Sequence, residues 1–396
     1  MSAHSFPIDA AGDRCPFMPV FGPPSVMFVR GRGTELWDDT GKRYLDFLCG
    51  LAVTSLGHAH PAITEAIRAQ SGTLLHVSNF FSNDCAAAAA IELRSLLQET
   101  TGAAGQVFFC NSGAEANEAA LKLARKFGGR GRHVVVSAYG SFHGRTLATL
   151  AATGQPAKHE PFSPMPDGFR HVAFGDLDAC AAAIDPTVSA VLIETVQGEG
   201  GVVPADPRYL QGLRDLCTER GMLLIIDEVQ TGFARTGRWF GFEHAGIQPD
   251  VVTMAKAMGN GFPVGAVWAR TEVAAAFQPG DHGSTYSGSA LATAVVRAVL
   301  SEMRRIDAPA LAAAQGSRLR DRLSAIPEVH AVRGQGLLLA AELGEGADAK
   351  AVCAELLHRG LVTNAVTATA LRFAPPITVT DAEIDEAAAL IAAVLA

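Results

Sequence analysis

From about residue 100 onward, short apolar or β-branched runs alternate with stretches of helical periodicity. Val107–Cys110, Val134–Ser137, Ala190–Glu194, Leu223–Asp227, Val251–Met254 and Gly265–Trp268 read as strands, and segments 113–127, 176–184 and 206–220 as helices. That alternation predicts an α/β domain with a mostly parallel sheet. Leu223–Ile226 is apolar without a break, as a strand covered on both faces should be. The chain ends read differently. Segment 26–50 alternates with turns at Gly31–Gly33 and Asp39–Gly41, which predicts antiparallel strands. Beyond about 290 the pattern turns helical, then gives Gly334–Glu342 as a strand, a helix near 348–359, a strand near Leu371–Phe373 and a last helix. Alanine-rich stretches at 85–90, 179–183 and 385–396 read as helix surface, alanine being the best helix former. The expected organisation is a large domain over 61–290 and a smaller α+β domain built from residues 1–60 and 291–396.

Composition narrows the classes. The 396 residues are 48% hydrophobic and only 18% charged, with 32 basic and 40 acidic side chains for a net charge of −8. This suits a chain with a large core and an intersubunit surface, and excludes disorder. An acidic balance without a basic stripe argues against nucleic acid as a partner. No apolar run approaches a membrane span; the longest, Met222–Ile226 and Leu337–Ala341, are strand-sized. Met1–Phe17 lacks the layout of a signal peptide, so a cytoplasmic protein is expected. Seven scattered cysteines with no Cys-x-x-Cys pair fit small buried hydrophobes better than disulfides or zinc.

Several segments carry candidate chemistry. Val107–Cys110 runs into Asn111-Ser-Gly and then a helix, with Ser112 and Glu115 spaced as a capping box. Ala116, Ala120, Leu123, Ala124 and Phe127 form its apolar stripe. Gly113 permits close approach to a helix N-terminus, so the segment is either an ordinary capped helix or a phosphate seat. No P-loop pattern occurs, and Gly259-Asn-Gly-Phe-Pro-Val-Gly misses the dinucleotide spacing and places a proline where a helix should open. His58-Ala-His60-Pro offers two imidazoles without neighbouring acidic or cysteine partners, so it reads as a turn and no metal site is expected. Lysine is scarce. Lys122 and Lys126 share a helix face, Lys42 follows a turn glycine, Lys158 falls in a polar loop and Lys350 near a helix start. Lys256 instead ends the apolar strand Val251–Met254 and precedes a glycine-rich segment, where burial would supply the neutral amine that a Schiff base needs. Asp227 ends another buried strand, where it either caps the next turn or meets a cation such as a protonated pyridine nitrogen. Gln230 lies three residues on, able to donate to a phenolic oxygen.

Taken together these segments resemble the class III (subgroup II) aminotransferases, pyridoxal-phosphate enzymes of fold type I. The matching runs are Asn111-Ser-Gly-Ala-Glu-Ala-Asn-Glu, Ser141-Phe-His-Gly-Arg-Thr, Gln197-Gly-Glu-Gly-Gly, Asp227-Glu-Val-Gln-Thr-Gly, Ala255-Lys-Ala-Met-Gly-Asn-Gly-Phe-Pro-Val-Gly-Ala and His282-Gly-Ser-Thr-Tyr, in the family's order. Thr195, where the family usually has proline, and the segments Asn79–Asn83 and Ala365–Thr369 depart from its pattern. The resemblance implies a seven-stranded, mostly parallel sheet and a homodimer with shared active sites. It implies that Lys256 binds pyridoxal 5′-phosphate covalently and moves protons, and that Asp227 keeps the pyridine nitrogen protonated. Gln230 would contact the ring oxygen, with Phe142 and Val229 on the two ring faces. Ser112, Gly113 and Ala114 would cradle the phosphate, joined by Thr285 of the partner subunit. Arg145 would bind the carboxylate of the amino donor, with the partner subunit's Ser284 nearby. Arg372 would bind the carboxylate of glutamate or 2-oxoglutarate, and Glu199 would cover Arg372 when the amine is bound. The implied reaction passes the distal amino group of N2-acetyl-L-ornithine to 2-oxoglutarate in a ping-pong cycle. Succinylornithine, succinyldiaminopimelate, ornithine and 4-aminobutyrate are the alternative donors, and an inert binding protein of the same fold is the non-enzymatic alternative.

Overall fold

The computed structural model describes residues 18–22 and 24–396, so the expectations for Met1–Phe17, Cys15 included, lie outside the described residues. A seven-stranded sheet forms the centre. Its order is Gly105–Cys110, Gly265–Arg270, Val251–Met254, Leu223–Asp227, Val188–Glu194, Val134–Ala138 and Phe169–Val172. Gly265–Arg270 runs antiparallel to both its neighbours, and every other pairing is parallel. Leu223–Asp227 is buried throughout, as its unbroken apolar run predicts. The edge strand Phe169–Val172 escapes the sequence reading because Arg170 and His171 interrupt its apolar pattern.

Helices Gly113–Gly128, Leu177–Ala182 and Pro207–Arg220 match the periodicity within about two residues. Two expectations need correction. Phe127, placed on the buried stripe, is 40% exposed, because the stripe leaves the sheet before the last turn of the helix. The alanine-rich stretches are helical, yet Ala89, Ala387 and Ala388 are buried: small side chains there let helices pack closely.

At the chain ends, Phe28–Arg32, Glu35–Asp38 and Arg43–Asp46 form an antiparallel meander. Leu361–Val362 pairs parallel to Arg43–Asp46, which ties the two ends together. The single strand expected at Gly334–Glu342 is a hairpin of Val329–Gln335 and Leu338–Leu343. Its turn sits at Gly336, with φ +53°, where an added Cβ would meet the Thr236 backbone at 2.4 Å. The strand expected from Gly334 runs straight through the turn residues Gly336 and Leu337, although Gly334 and Gly336 are themselves turn signals. Ala370–Phe373 pairs with Leu338–Leu343 and with Asn364–Ala365, putting Arg372 opposite Ala340 and Asn364. Among the described residues no helix is long and apolar enough to cross a membrane.

Candidate active site

Parallel strands deliver their carboxyl ends to one edge of a sheet, and ligands of such folds bind there. Here that edge holds a cavity of about 400 Å³. It receives the Gly113 helix start after Gly105–Cys110, the Ser141–Arg145 loop after Val134–Ala138, Glu199 after Val188–Glu194, Val229 and Gln230 after Leu223–Asp227, and Lys256 after Val251–Met254. Ten of the predicted site residues line it: Ser112, Gly113, Ala114, Phe142, Arg145, Glu199, Asp227, Val229, Gln230 and Lys256.

Strand register places the acidic groups. Asp227 pairs directly with Glu194, so two carboxylates share the sheet edge. Asp227 Oδ1 accepts the Val229 N–H at 3.0 Å, which is the turn cap foreseen as one alternative. Its Oδ2 accepts Asn117 Nδ2 and meets His143 Nδ1, both at 2.8 Å. Burial pushes the His143 imidazole toward neutrality, but the hydrogen bond and charge of Asp227 outweigh it and leave its pKa raised. Burial pushes the Glu194 carboxyl up to about 7, the His143 charge opposing and the Asp227 charge adding to the shift. A carboxylate has about four lone-pair sites, so Asp227 retains capacity for one further cationic N–H.

Lys256 follows its strand at a left-handed φ of +43°, in a short 3-10 turn over Lys256–Gly259. A non-glycine residue held there is strained, and such strain gathers at functional sites. Asn260 braces the turn, its Oδ1 accepting the Leu56 N–H at 2.7 Å and its Nδ2 donating to Gly57 O at 3.1 Å. Burial brings the Lys256 ammonium down to about 8, and the charge of Arg372 acts in the same direction. A neutral amine is therefore accessible near neutral pH.

At the helix start, Ser112 Oγ accepts the Glu115 N–H at 3.2 Å. The return half of the expected capping box is displaced by one residue. Glu115 Oε2 accepts Asn111 N at 2.7 Å and Asn111 Nδ2 at 2.8 Å. The first-turn N–H groups of Gly113 and Ala114 have no acceptor within their own helix and open on the cavity. Gly113 is required by packing, since an added Cβ would lie 2.7 Å from Val229 Cγ1.

The Gln230 amide is poorly satisfied: Nε2 reaches Leu51 O only at 3.4 Å, and buried Oε1 has no partner. His143 Nε2 and Asn117 Oδ1 are likewise buried without partners. Orphaned polar atoms, helix-start donors, a carboxylate with spare capacity and a depressed lysine fit a phosphorylated pyridine aldehyde.

Arg372 does not line the cavity. Only 1% exposed, it sits behind Glu199, with Nη1 on Glu199 Oε1 at 2.6 Å and on Gly198 O at 3.3 Å, and Nε on Asn364 Oδ1 at 3.0 Å. Burial works against the charge of Glu199, and Arg372 overcomes it and lowers its pKa. Arg145 is exposed, its guanidinium 5.4 Å from the Phe142 ring centroid. Ser284 and Thr285 fall outside the cavity of their own chain. Ser284 Oγ accepts Asn111 Nδ2 at 2.8 Å, and Thr285 is exposed. His58 and His60 find acidic partners remote in sequence, Asp46 at 2.7 Å and Glu302 at 3.5 Å.

Sequence reasoning missed Asn117 and His143 as supports of Asp227, and Glu194 as its neighbour at the sheet edge. The one legible signal was Asn117, a polar residue beside the apolar stripe of a helix that otherwise favours strong helix formers. Lys158, read as a polar-loop residue, is half-buried with its Nζ 5.6 Å from the Phe142 ring centroid.

A strained lysine and a buried carboxylate facing a helix start, on a sheet of this order, define a cofactor-dependent transferase site. The family described as Aminotransferase class-III matches residues 20–395, and the chain belongs to that family and to its pyridoxal-phosphate enzymes. It is 45% identical to the acetylornithine aminotransferase of Caldanaerobacter subterraneus subsp. tengcongensis, over 91% of this chain and 92% of that protein. It is 43% identical to the succinylornithine transaminase of Salmonella paratyphi A, over 93% and 91% of the two chains. Among solved structures it is similar to the ornithine aminotransferase of Toxoplasma gondii, with a TM-score of 0.90 and 32% identity over 97% of this chain and 93% of that one.

Proposed function

We propose that this aminotransferase moves the distal amino group of N2-acetyl-L-ornithine to 2-oxoglutarate, giving N-acetyl-L-glutamate 5-semialdehyde and L-glutamate. The observation that carries the reading is the Glu199–Arg372 ion pair at 2.6 Å, with Arg372 closed off behind it. A donor that reacts at its distal amine presents no carboxylate next to the reacting carbon, so a neutralised Arg372 suits it. Glutamate and 2-oxoglutarate do present one, and they must displace Glu199 to reach the planar fork of Arg372. The exposed Arg145 is left to hold the carboxylate at the far end of the donor.

The residues divide the remaining work. Lys256 would hold the aldehyde carbon covalently and, once released by a donor, move a proton between the donor carbon and the cofactor. Asp227, oriented by Asn117 and His143, would hold a proton on the pyridine nitrogen. The bound cofactor supplies an electron sink for the carbon that loses its proton and stores the amino group between half-reactions. Gln230 would meet the ring oxygen, Phe142 and Val229 the ring faces, and Ser112, Gly113 and Ala114 the phosphate.

The active unit in this reading is a cytoplasmic homodimer in which Thr285 of the partner subunit adds a hydroxyl to the phosphate and the partner's Ser284 stands near Arg145. Support comes from Leu75, Phe80, Phe81 and Tyr286, large apolar side chains that are 54%, 91%, 72% and 61% exposed. They lie in segments joined by Asn79 Nδ2 donating to Ser284 O, at 2.9 Å, and by the His76–Tyr286 ring contact. In the same reading the described residues within 1–60, together with 291–396, form the small domain and 61–290 the large one.

The test is a panel of amine donors with 2-oxoglutarate, read as relative kcat/KM. N2-acetyl-L-ornithine should exceed ornithine and 4-aminobutyrate. A preference for either of those would overturn the substrate assignment while leaving the family intact.

A further inference from the structure

Two cations share the Phe142 ring. Arg145 Cζ lies 5.4 Å and Lys158 Nζ 5.6 Å from its centroid. Arg145 belongs to the cavity wall, whereas Lys158 lies outside the lining, beside a ring that forms it. The two arrive from different parts of the chain, the Ser141–Arg145 loop and the 3-10 turn Pro156–Lys158.

An ordinary surface lysine would be solvated and mobile. Lys158 is half-buried, and its Nζ donates to Gln155 Oε1. Gln155 in turn donates from Nε2 to Ser141 O at 2.9 Å, fastening the lysine to the loop that carries Phe142. Burial lowers the Lys158 pKa, the charge of Arg145 lowers it further, and Glu199 opposes. Glu199 is already committed to Arg372 at 2.6 Å. Two like charges thus flank one ring and act on each other, with no carboxylate bonded to either. Such an arrangement costs free energy until an anion enters, and it concentrates anionic ligands at the cavity mouth.

We infer that Lys158 is a specificity-determining residue, forming with Arg145 a two-cation seat on the Phe142 ring for the carboxylate end of an ω-amino donor. The inference rests on the proposed function and adds to it the residue that selects carboxylate-bearing donors over plain amines. The flexible four-carbon stem of lysine suits a ligand end of variable length, while the fork of Arg145 fixes one carboxylate.

The test compares the wild-type holoenzyme with Lys158→Gln and Lys158→Arg. One readout is calorimetric binding of N2-acetyl-L-norvaline, which keeps the carboxylate and lacks the distal amine. The other is kcat/KM for N2-acetyl-L-ornithine relative to N-acetyl-1,4-diaminobutane, the same donor without its carboxylate. Lys158→Gln should weaken the binding and lower the ratio by about five- to 50-fold, the size expected for one hydrogen bond to a charged group at a partly solvated site. KM should carry more of the loss than kcat, and Lys158→Arg should recover most of it. Binding and ratio within twofold of wild type, or an equal loss for both donors, would overturn the inference. Should the wild type accept ornithine but no acylated ornithine, the proposed function fails; ornithine against 1,4-diaminobutane then reads the same carboxylate preference.

Discussion

The proposed function gives Arg372 and Arg145 the same chemical task, a carboxylate, under opposite physical conditions. Arg372 is 1% exposed, sits on the antiparallel sheet of the C-terminal segment, and spends three donor contacts on Glu199, Gly198 O and Asn364. Arg145 is exposed, sits on a loop of the central sheet, and leans on the Phe142 ring. A buried guanidinium cannot be left bare, because desolvation of an unpaired charge costs several kcal/mol. For Arg372 the partner is Glu199 of the protein itself, which in the proposed reading moves for a substrate carboxylate to take its place. An exposed guanidinium needs no such partner, since water serves. In the proposed reading this difference would let one pocket accept two unlike partners, Arg145 staying open and Arg372 opening by exchange of Glu199.

Both half-reactions share the floor of the site, so its loss should abolish the distinction altogether. Lys256→Ala should fold and retain loosely held cofactor, yet lose turnover with every donor. Proton transfer alone is worth about 10²–10⁴-fold, and the covalent hold is lost as well. Single-turnover absorbance with glutamate and with acetylornithine checks this; normal rates with either would remove Lys256 from the chemistry. The pH dependence follows from its depressed pKa. Lys256 is neutral above about 8, where an ordinary lysine would stay charged to about 10.5. Cofactor uptake by the apoprotein should accordingly rise with pH with a midpoint near 8. A midpoint above 10 would show that burial does not tune this amine.

The two arginines can then be separated by exchange of losses. Arg372→Ala should slow the glutamate half-reaction on the order of 10²–10⁴-fold, the size of two charge-assisted hydrogen bonds, and spare acetylornithine more. Arg145→Ala should do the reverse, by only about five- to 50-fold, the size of a hydrogen bond to a charged group at a partly solvated site. Equal losses for both substrates in either variant would collapse the comparison.

Much of the floor was legible in the sequence because each residue there follows a buried strand directly. Asp227 and Lys256 end the apolar runs Leu223–Ile226 and Val251–Met254, and Ser112 opens an amphipathic helix, so strand pattern and chemistry coincide. What surrounds them was not legible. That Asp227 stands beside Glu194 is a matter of register between strands more than thirty residues apart, and His143 reaches Asp227 only through the path of a loop. Lys158 looked like any loop lysine, since nothing local to 155–160 indicates that Gln155 ties it beside Phe142. A single strand running from Gly334 through the turn passes over the hairpin at Gly336, whereas the edge strand Phe169–Val172 is hidden by its polar composition. Local pattern determines which residues end an element, whereas long-range packing determines which neighbours they acquire.

The central claim is that Glu199 is an exchangeable counter-ion whose departure admits glutamate. Its most direct test is the ratio of single-turnover rates with glutamate and with N2-acetyl-L-ornithine, measured for the wild type and for Glu199→Gln. Glutamine keeps the shape but removes the charge that neutralises Arg372, so the ratio should shift toward glutamate by about five- to 150-fold, equivalent to about 1–3 kcal/mol. An unchanged ratio, with both rates preserved, would contradict the account and reduce the 2.6 Å Glu199–Arg372 pair to a structural contact.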